Sequence, residues 1–405
     1  MNGVVIIGAG QAGLQAALSL RDYGYTKRIR ILGAEFHEPY HRPPLSKIYL
    51  SESGKDINLK IRNLEVFNKK NIEWLAGVTA NKIHRTEKFV EGKDEQYPYE
   101  RLIIATGGRP HRPELPGLGL KGVLVLRNIE DADQIRTQIV PNRKIVILGG
   151  GIIGLEVAAT ARAAGCQVTV VEGGQRVLER MTPPILSNFY EQQHRERGVT
   201  ILLRTTIRQI IGKNRQVSAV ELSDGVQIEA DCVLIATGLV ANDELAQKAE
   251  LECKRGIVVN DHMVTNDPSI NAVGDVSVQY RAETQSWLRV ESVANAIWQA
   301  KVAAAYISKA AQPAIELPWF WSDQYDIKLQ IAGLSTEGDA ILTRGNINDK
   351  KFCLFLMRQG RVISVCAINN PGEFLVAKKI ITNGTKILPA NICDPSVSLN
   401  AHLNN

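Results

Sequence analysis

One glycine-rich unit occurs twice in this chain, each time where a strand hands over to a helix. Gly3-Val4-Val5-Ile6-Ile7 is a short apolar run, and Gly8-x-Gly10-x-x-Gly13 follows it at once. Ala12, Leu14, Ala16, Ala17, Leu18 and Leu20 then recur at helical spacing, before a second strand over 28–32. Further on, the strand 144–148, the turn Gly149-x-Gly151-x-x-Gly154, a helix over 155–164 and a strand over 167–172 repeat the same order. Strand, tight turn, helix, strand is a βαβ unit. A chain that carries this unit twice is confined to α/β folds built on parallel sheets.

The spacing has a chemical reason. The first glycine allows the tight turn, the second lets backbone approach a pyrophosphate, and the third lets helix and strand pack closely. The helix N-terminus then offers free N–H groups and a favourable dipole to the anion. A carboxylate about 20 residues on completes a dinucleotide site by accepting the ribose hydroxyls. Glu35 stands there after Gly8, Gly10 and Gly13, and Glu172 stands there after Gly149, Gly151 and Gly154. A carboxylate at the second position accepts from a free 2′-hydroxyl and repels a 2′-phosphate. Gly173 and Gly174 follow it in place of arginines, so the second site is expected to take NADH over NADPH, with Arg176 the nearby cation that could oppose this.

Three further junctions punctuate the chain. Two apolar strands end in the same turn, Ala105-Thr106-Gly107 and Ala236-Thr237-Gly238. A third run ends in Ala272-Val273-Gly274-Asp275, which would aim Asp275 at a sugar-alcohol hydroxyl, although an apolar strand ending in Gly-Asp is by itself a common turn. Arg109-Pro110, Pro113 and Pro116 read as a linker. After residue 312 the character changes: Pro313 and Pro318 lead into Trp319-Phe320-Trp321, and 328–332, 351–358 and 362–368 read as a small antiparallel sheet.

Composition removes several function classes. The 405 residues suffice for two or three domains at about 150 residues each. No apolar run reaches the roughly 20 residues of a membrane span, and the start of the chain shows neither a charged n-region nor a cleavage site, so no membrane segment and no export signal are expected. The net charge of +6 is not gathered into Lys/Arg blocks, so no nucleic-acid partner is expected. A basic face for an acidic protein and a plain solvated surface both fit that charge. Cys166, Cys232, Cys253, Cys353, Cys366 and Cys393 show no C-x-x-C and no metal-ligand spacing. They read as isolated thiols of a reducing cytoplasm, with no metal site.

Taken together, the two fingerprints, both Ala-Thr-Gly turns and Ala-Val-Gly-Asp resemble the FAD- and NAD-dependent pyridine nucleotide oxidoreductases. Within that group, Pro39-Tyr40-His41-Arg42-Pro43-Pro44-Leu45-Ser46-Lys47 is similar to a signature of the ferredoxin reductases that serve ring-hydroxylating dioxygenases and haem monooxygenases. So are Pro318-Trp319-Phe320-Trp321-Ser322-Asp323-Gln324-Tyr325 and Arg289-Val290-Glu291-Ser292-Val293-Ala294-Asn295-Ala296. Proteins like apoptosis-inducing factor share the Arg-Pro-Pro-Leu-Ser-Lys part. The resemblance implies an α/β fold of two Rossmann-like, glutathione-reductase-like domains plus an α+β C-terminal domain. The FAD domain would be built from 1–108 and 237–312, the NAD domain from 109–236 and an interface domain from 313–405.

The resemblance also implies roles. Arg42, Pro44 and Lys47 would contact the flavin, Lys47 near N5, with Glu156 beside Lys47 at the nicotinamide face. Ala80 would present backbone to the adenine, Arg127 would reach the FAD from the linker side, and Arg109 is expected among the cofactor-binding residues. Ala12, Ile152 and Ile153 open the two phosphate-facing helices. Asp275 would bind the ribitol, Val293 with Ser292 would reach the pyrimidine edge through backbone, Gly274 and Glu291 are expected among the cofactor-binding residues, and Trp321 would pack against the flavin where a partner docks. Three positions depart from the pattern: Ala34 where relatives carry an acid, which moves the ribose contact to Glu35, Ala241 where many have proline, and Val293 where some have tryptophan. The implied activity is NADH-dependent: FAD takes up a hydride, and electrons pass singly to a [2Fe-2S] ferredoxin that feeds an oxygenase, in a monomer or homodimer. A rubredoxin reductase, a flavin NADH oxidase and a redox-gated interaction protein are the alternatives.

Overall fold

The computed structural model describes residues 2–51, 57–281, 285–334 and 338–403. The chain forms two compact units, each assembled from three separate stretches.

The first unit comprises Met1–His41, Asn58–Arg109 and Leu239–Pro318. Its main sheet runs Ile72–Ala76, Ile29–Gly33, Gly3–Ile7 and Gln96–Ile104, all parallel. The far end of Gln96–Ile104 carries Ile270–Ala272 in parallel, and its near end pairs antiparallel with Phe89–Glu91, which pairs with Lys82–His84. Gly3–Ile7 is buried at every position, as expected of an interior parallel strand covered on both faces. Helix Gln11–Asp22 packs along helix Val293–Ser308. Both bury several alanines, among them Ala16, Ala17, Ala300, Ala303 and Ala304, and small side chains of this kind allow close helix packing.

The second unit comprises Arg42–Ile57, Pro110–Gly238 and Trp319–Asn405. Its parallel sheet has the order Thr200–Leu202, Gln167–Val171, Lys144–Leu148, Cys232–Ile235, Val123–Leu124. A three-stranded antiparallel sheet, Ile207–Lys213, Gln216–Leu222 and Gln227–Glu229, packs its apolar side onto this layer through Ile207, Ile210, Val217 and Val220. The helix after the second fingerprint spans Ile152–Ala163. It begins three residues before the expected start at Leu155, because Gly151 caps it directly.

The end of the chain is a five-stranded antiparallel sheet, ordered Trp319–Gln324, Ile327–Ala332, Arg361–Ile368, Lys351–Arg358, Ala340–Asn346. It has two strands more than the three legible from alternation. Strand Lys351–Arg358 is buried at six consecutive positions, covered on both faces. Phe352 meets Phe189 edge-to-face at 5.3 Å, which ties the sheet to helix Pro184–Glu196. Helix Pro371–Asn383 packs on the same sheet through buried Phe374. Truncating a buried phenylalanine of this kind to alanine costs about 3–5 kcal/mol.

Candidate functional site

In the first unit the glycine fingerprint adopts the backbone its spacing demands. Gly8 has φ +108°, and a Cβ there would lie 2.2 Å from the carbonyl oxygen of Ala105. A Cβ on Gly13 would lie 1.9 Å from the carbonyl oxygen of Gly8. Both glycines are therefore required by the fold itself. Gly10 is different: nothing lies within 4 Å of where its Cβ would be. It caps helix Gln11–Asp22 with no side-chain hydrogen bond, so the fold itself places no steric demand on this position.

Of the other predicted residues of this unit, Ala105 lies against Gly8 and Gly274 against Ala12 at the same helix start. Ala105 N donates to Ile7 O at 2.8 Å, and Thr106 Oγ1 donates to Asn242 O at 2.7 Å. The Asn242 amide donates back to Thr106 O at 2.9 Å, and Asn242 N donates to Gly107 O at 2.9 Å. Gly274, at φ +78°, sits against Ala12, its N–H donating to Gln299 Oε1 at 2.8 Å, and Asp275 follows in a short 3-10 turn. Ser292 caps helix Val293–Ser308 by accepting from Asn295 N at 3.1 Å. Glu35 accepts from the Tyr40 hydroxyl at 2.6 Å. Ala80 is buried. Arg109 pairs with Glu244 at 2.5 Å and donates to Asn242 Oδ1 at 3.0 Å, and Glu291 pairs with Arg289 at 2.7 Å.

In the second unit Gly149 (φ +112°) lies against the carbonyl of Ala236, and Gly154 lies against that of Gly149. Gly151 again faces open space, at the start of the helix that Ile152 and half-exposed Ile153 begin. Glu172 is fixed by its own backbone cradle: Oε2 accepts from Gly150 N at 2.6 Å and Oε1 from Gly174 N at 2.7 Å. Arg176 turns inward, donating to Thr182 O and Ser187 Oγ at 2.6 Å each and to Glu179 O at 3.0 Å. Thr237 Oγ1 donates to His111 O at 3.0 Å, and His111 N donates to Gly238 O at 2.8 Å.

The same unit brings together the Arg-Pro-Pro-Leu-Ser-Lys element and Glu156. Arg42 Nη1 donates to Arg127 O at 2.6 Å, and Arg127 N donates to Asp131 Oδ2 at 2.8 Å. Pro44 lies in the 3-10 turn Pro43–Ser46. Lys47 Nζ donates to Pro43 O at 3.0 Å and lies 2.9 Å from Glu156 Oε2. Glu156 is 1% exposed. Burial pushes its carboxyl above the usual carboxylate range, and Lys47, Ser46 and Ser322 oppose that rise. Ser322 Oγ donates to Glu156 Oε1 at 2.7 Å, and the Ser46 hydroxyl donates to Oε2. Sequence reasoning singles out neither serine. The signal is there, however, since Ser46 adjoins Lys47, and Ser322 and Gln324 alternate with Trp319, Trp321 and Asp323 along one strand.

That alternation puts different chemistry on the two faces of strand Trp319–Gln324. Ser322 and Gln324 are buried. Trp319, Trp321 and Asp323 line a groove of about 450 Å³ together with Lys328, Asn369 and Pro371. The Trp319 and Trp321 rings lie 5.3 Å apart.

The cysteines offer no activated thiol pair. All six are free, and burial pushes Cys232, Cys353 and Cys366 up to about 12 and Cys253 up to about 11. Among the described residues no group of His, Cys, Asp or Glu could hold a metal ion, and no helix is long and apolar enough to cross a membrane.

Comparison with known proteins agrees in both sequence and fold. Residues 2–300 match the pyridine nucleotide-disulphide oxidoreductase family and residues 319–403 the reductase C-terminal family. Putidaredoxin reductase of Pseudomonas putida is 41% identical over 403 residues, covering 98% of this chain and 95% of that protein. The crystal structure of the covalent putidaredoxin reductase–putidaredoxin complex superposes with a TM-score of 0.96 at 39% identity, covering 100% of this chain and 98% of its match. The ferredoxin reductase for the CYP199A2 system of Rhodopseudomonas palustris gives 0.95 at 34% identity, covering 99% of each chain. With both fingerprints, the Lys47–Glu156 pair and the closing sheet in one continuous match, this chain belongs to the pyridine nucleotide-disulphide oxidoreductase family, among its ferredoxin reductases.

Proposed function

We propose that this protein is an NADH-dependent flavoprotein reductase that delivers electrons to a [2Fe-2S] ferredoxin feeding an oxygenase. The observation that carries this reading is the pair of bare central glycines. Gly10 and Gly151 each face open space at a helix start, while their neighbours are packed against backbone. Two cradles in one chain suit two dinucleotides. The residues present fit FAD at the first and NADH at the second.

FAD, when bound, supplies the chemistry of accepting a hydride from NADH and giving electrons up one at a time. The chain's own part is to bind, orient and hold charge. Gly8, Gly10 and Gly13 with Ala12 admit a pyrophosphate, Glu35 and Ala80 serve the adenosine end, and Gly274 and Asp275 the ribitol. Ala105 to Gly107, with Glu291, Ser292 and Val293, frame the flavin site. Gly149, Gly151 and Gly154, with Ile152, Ile153 and the turn Ala236 to Gly238, serve NADH. Arg42 and Arg127, joined by a hydrogen bond, and Pro44 shape the flavin edge, with Trp321 towards the partner. Arg109 contributes indirectly, by fixing Asn242. On this reading 1–108 and 237–312 hold FAD, 109–236 hold NADH and 313–405 face the partner.

NADH is favoured over NADPH for two reasons. Glu172 presents a carboxylate whose orientation two backbone N–H groups fix. Arg176, a cation four residues after Glu172, is turned away onto Thr182, Ser187 and Glu179. The raised cysteine thiols support a route to an outside acceptor over a disulfide inside the chain. We place the protein in the cytoplasm, as a monomer or homodimer.

The test is NADH-dependent cytochrome c reduction by the FAD-loaded protein, with and without [2Fe-2S] ferredoxins encoded in the same genome. Strong stimulation by one of them is expected. Rapid oxygen consumption with no stimulation by any of them would instead identify an NADH oxidase.

A further inference from the structure

The hydrogen bonds at Glu156 continue past Ser322. Gln324 Nε2 donates to Ser322 Oγ at 3.0 Å. Gln324 Oε1 lies 2.9 Å from His194 Nε2, and His194 Nδ1 lies 3.2 Å from the Tyr325 hydroxyl. Ser322, Gln324 and His194 are all buried. At the outer end Arg197 sits over the Tyr325 ring at 4.5 Å and pairs with Asp326 at 2.7 Å.

Every bond in this series has its polarity set from the inner end. Paired with the Lys47 ammonium at 2.9 Å, the Glu156 carboxylate accepts, so the single Ser322 proton points at it. Ser322 Oγ must then accept from the Gln324 NH₂, which leaves Gln324 Oε1 to accept from His194. His194 is kept neutral, burial driving it down to about 4, so it carries one ring proton, on Nε2. Its Nδ1 accepts from Tyr325. Four donors in series thus point the same way, and each fixes a rotor, an amide flip or a tautomer that would otherwise be free. The amide in the middle has no proton to relay, so the series orients and does not conduct.

We propose that Tyr325, His194, Gln324 and Ser322 form a directional hydrogen-bond chain that holds the Glu156 carboxylate against Lys47, which makes His194 and Gln324 positioning residues for the nicotinamide face. This rests on the assignment of Lys47 and Glu156 to that face under Proposed function. The competing account is that these polar groups only satisfy one another in the core. It predicts losses that do not depend on Glu156.

Two measurements decide between them. The first is a double-mutant cycle on the FAD-loaded protein, following flavin bleaching by saturating NADH without oxygen. Gln324→Leu should slow bleaching about tenfold in the wild-type background, the cost of about one buried hydrogen bond. In the Glu156→Gln background it should slow bleaching by less than about twofold, because the carboxylate it serves is gone. Equal losses in both backgrounds, or no loss in the first, overturn the proposal. If Gln324→Leu does not fold, Tyr325→Phe runs the same cycle with an expected loss of about threefold. Wild-type protein that NADH does not reduce sinks the functional reading, and this proposal with it. The second measurement needs no turnover. In flavin-free protein labelled with ¹⁵N-histidine, long-range ¹⁵N–¹H correlations should show His194 neutral and protonated on Nε2, with His194→Asn providing the assignment. A proton on Nδ1, or a charged ring near neutral pH, would reverse the chain and end the proposal.

Discussion

Lys47 Nζ stands 2.9 Å from Glu156 Oε2, and the carboxylate it meets is almost fully buried. A buried charge that loses its partner is far more costly than the pair is stabilising. Lys47→Met should therefore cost about 3 kcal/mol near neutral pH. Burial raises the Glu156 carboxyl, and without Lys47 it rises further. A carboxyl raised on folding binds its proton more tightly in the native state, so stability is lost as pH climbs above the unfolded value of about 4.3. The variant's urea midpoint should approach that of wild type near pH 5 and fall away near pH 8. An equal deficit at both would show that the ammonium does not compensate the carboxylate.

The glycines separate fold from binding. Gly10→Ala meets no protein atom within 4 Å and should fold normally, yet bind FAD at least about tenfold more weakly. Gly8→Ala would drive its Cβ to 2.2 Å from the Ala105 carbonyl at φ +108° and should not yield soluble folded protein. Circular dichroism and flavin content per chain report the two outcomes separately. A Gly10→Ala protein with a full complement of FAD would show that the open space does not receive the pyrophosphate.

Glu172→Ala should lower the NADH/NADPH ratio of kcat/KM by roughly tenfold to a hundredfold, the range expected when one charge-specific contact is lost. The gain for NADPH should be modest, because Arg176 is held by three oxygens and is not free to take a phosphate. Steady-state kinetics with both nucleotides checks this. An unchanged ratio would move the discriminating residue elsewhere.

Trp321→Ala should slow ferredoxin reduction about tenfold while leaving NADH–ferricyanide reduction within about twofold, the loss expected at an aromatic anchor. The reason is placement: Trp321 lines the groove with Trp319 and Asp323, and the Glu156 network uses Ser322 and Gln324 of the same strand. Equal loss in both assays would assign Trp321 to the flavin pocket itself.

His194 gives acid sensitivity of the opposite sign to Glu156. Its folded value lies near 4, lowered chiefly by burial, against 6.5 in the open chain. The unfolded state therefore takes up a proton between those values while the native state does not, and stability is lost as pH falls from 6.5 towards 4. The difference of two and a half pH units corresponds to on the order of 3 kcal/mol. His194→Asn should flatten this slope, read as the change in Tm between about pH 7.5 and pH 5. A variant as acid-sensitive as wild type would mean that another group controls that limb.

The fold was legible to the extent that its determinants are local. Both fingerprints, both Ala-Thr-Gly turns and the Gly-Asp turn lie within a few residues of the strand and helix they join, so their steric logic can be followed along the chain. Strands Trp319–Gln324 and Ala340–Asn346 are harder to read. The first is aromatic on both sides of its alternation, and the second is an edge strand whose one fully buried position is the charged Arg344, so it shows no apolar face. The engagement of Arg109 with Glu244 and of Arg176 with Thr182 and Ser187 was not legible, since a guanidinium's reach says nothing about which carbonyl or carboxylate folds up beside it.

By itself the sequence determined that two dinucleotide cradles exist, because tight turns without side chains are short-range requirements that only glycine meets. It also determined the family, through motifs whose order spans the whole chain. Tertiary structure decided the environment of Glu156. Ser46 comes from 110 residues away and Ser322 from 166, and no local pattern records that two hydroxyls and an ammonium converge on one buried carboxylate. A charge can stay in the core only where its partners are delivered in three dimensions, and folding is the step that delivers them.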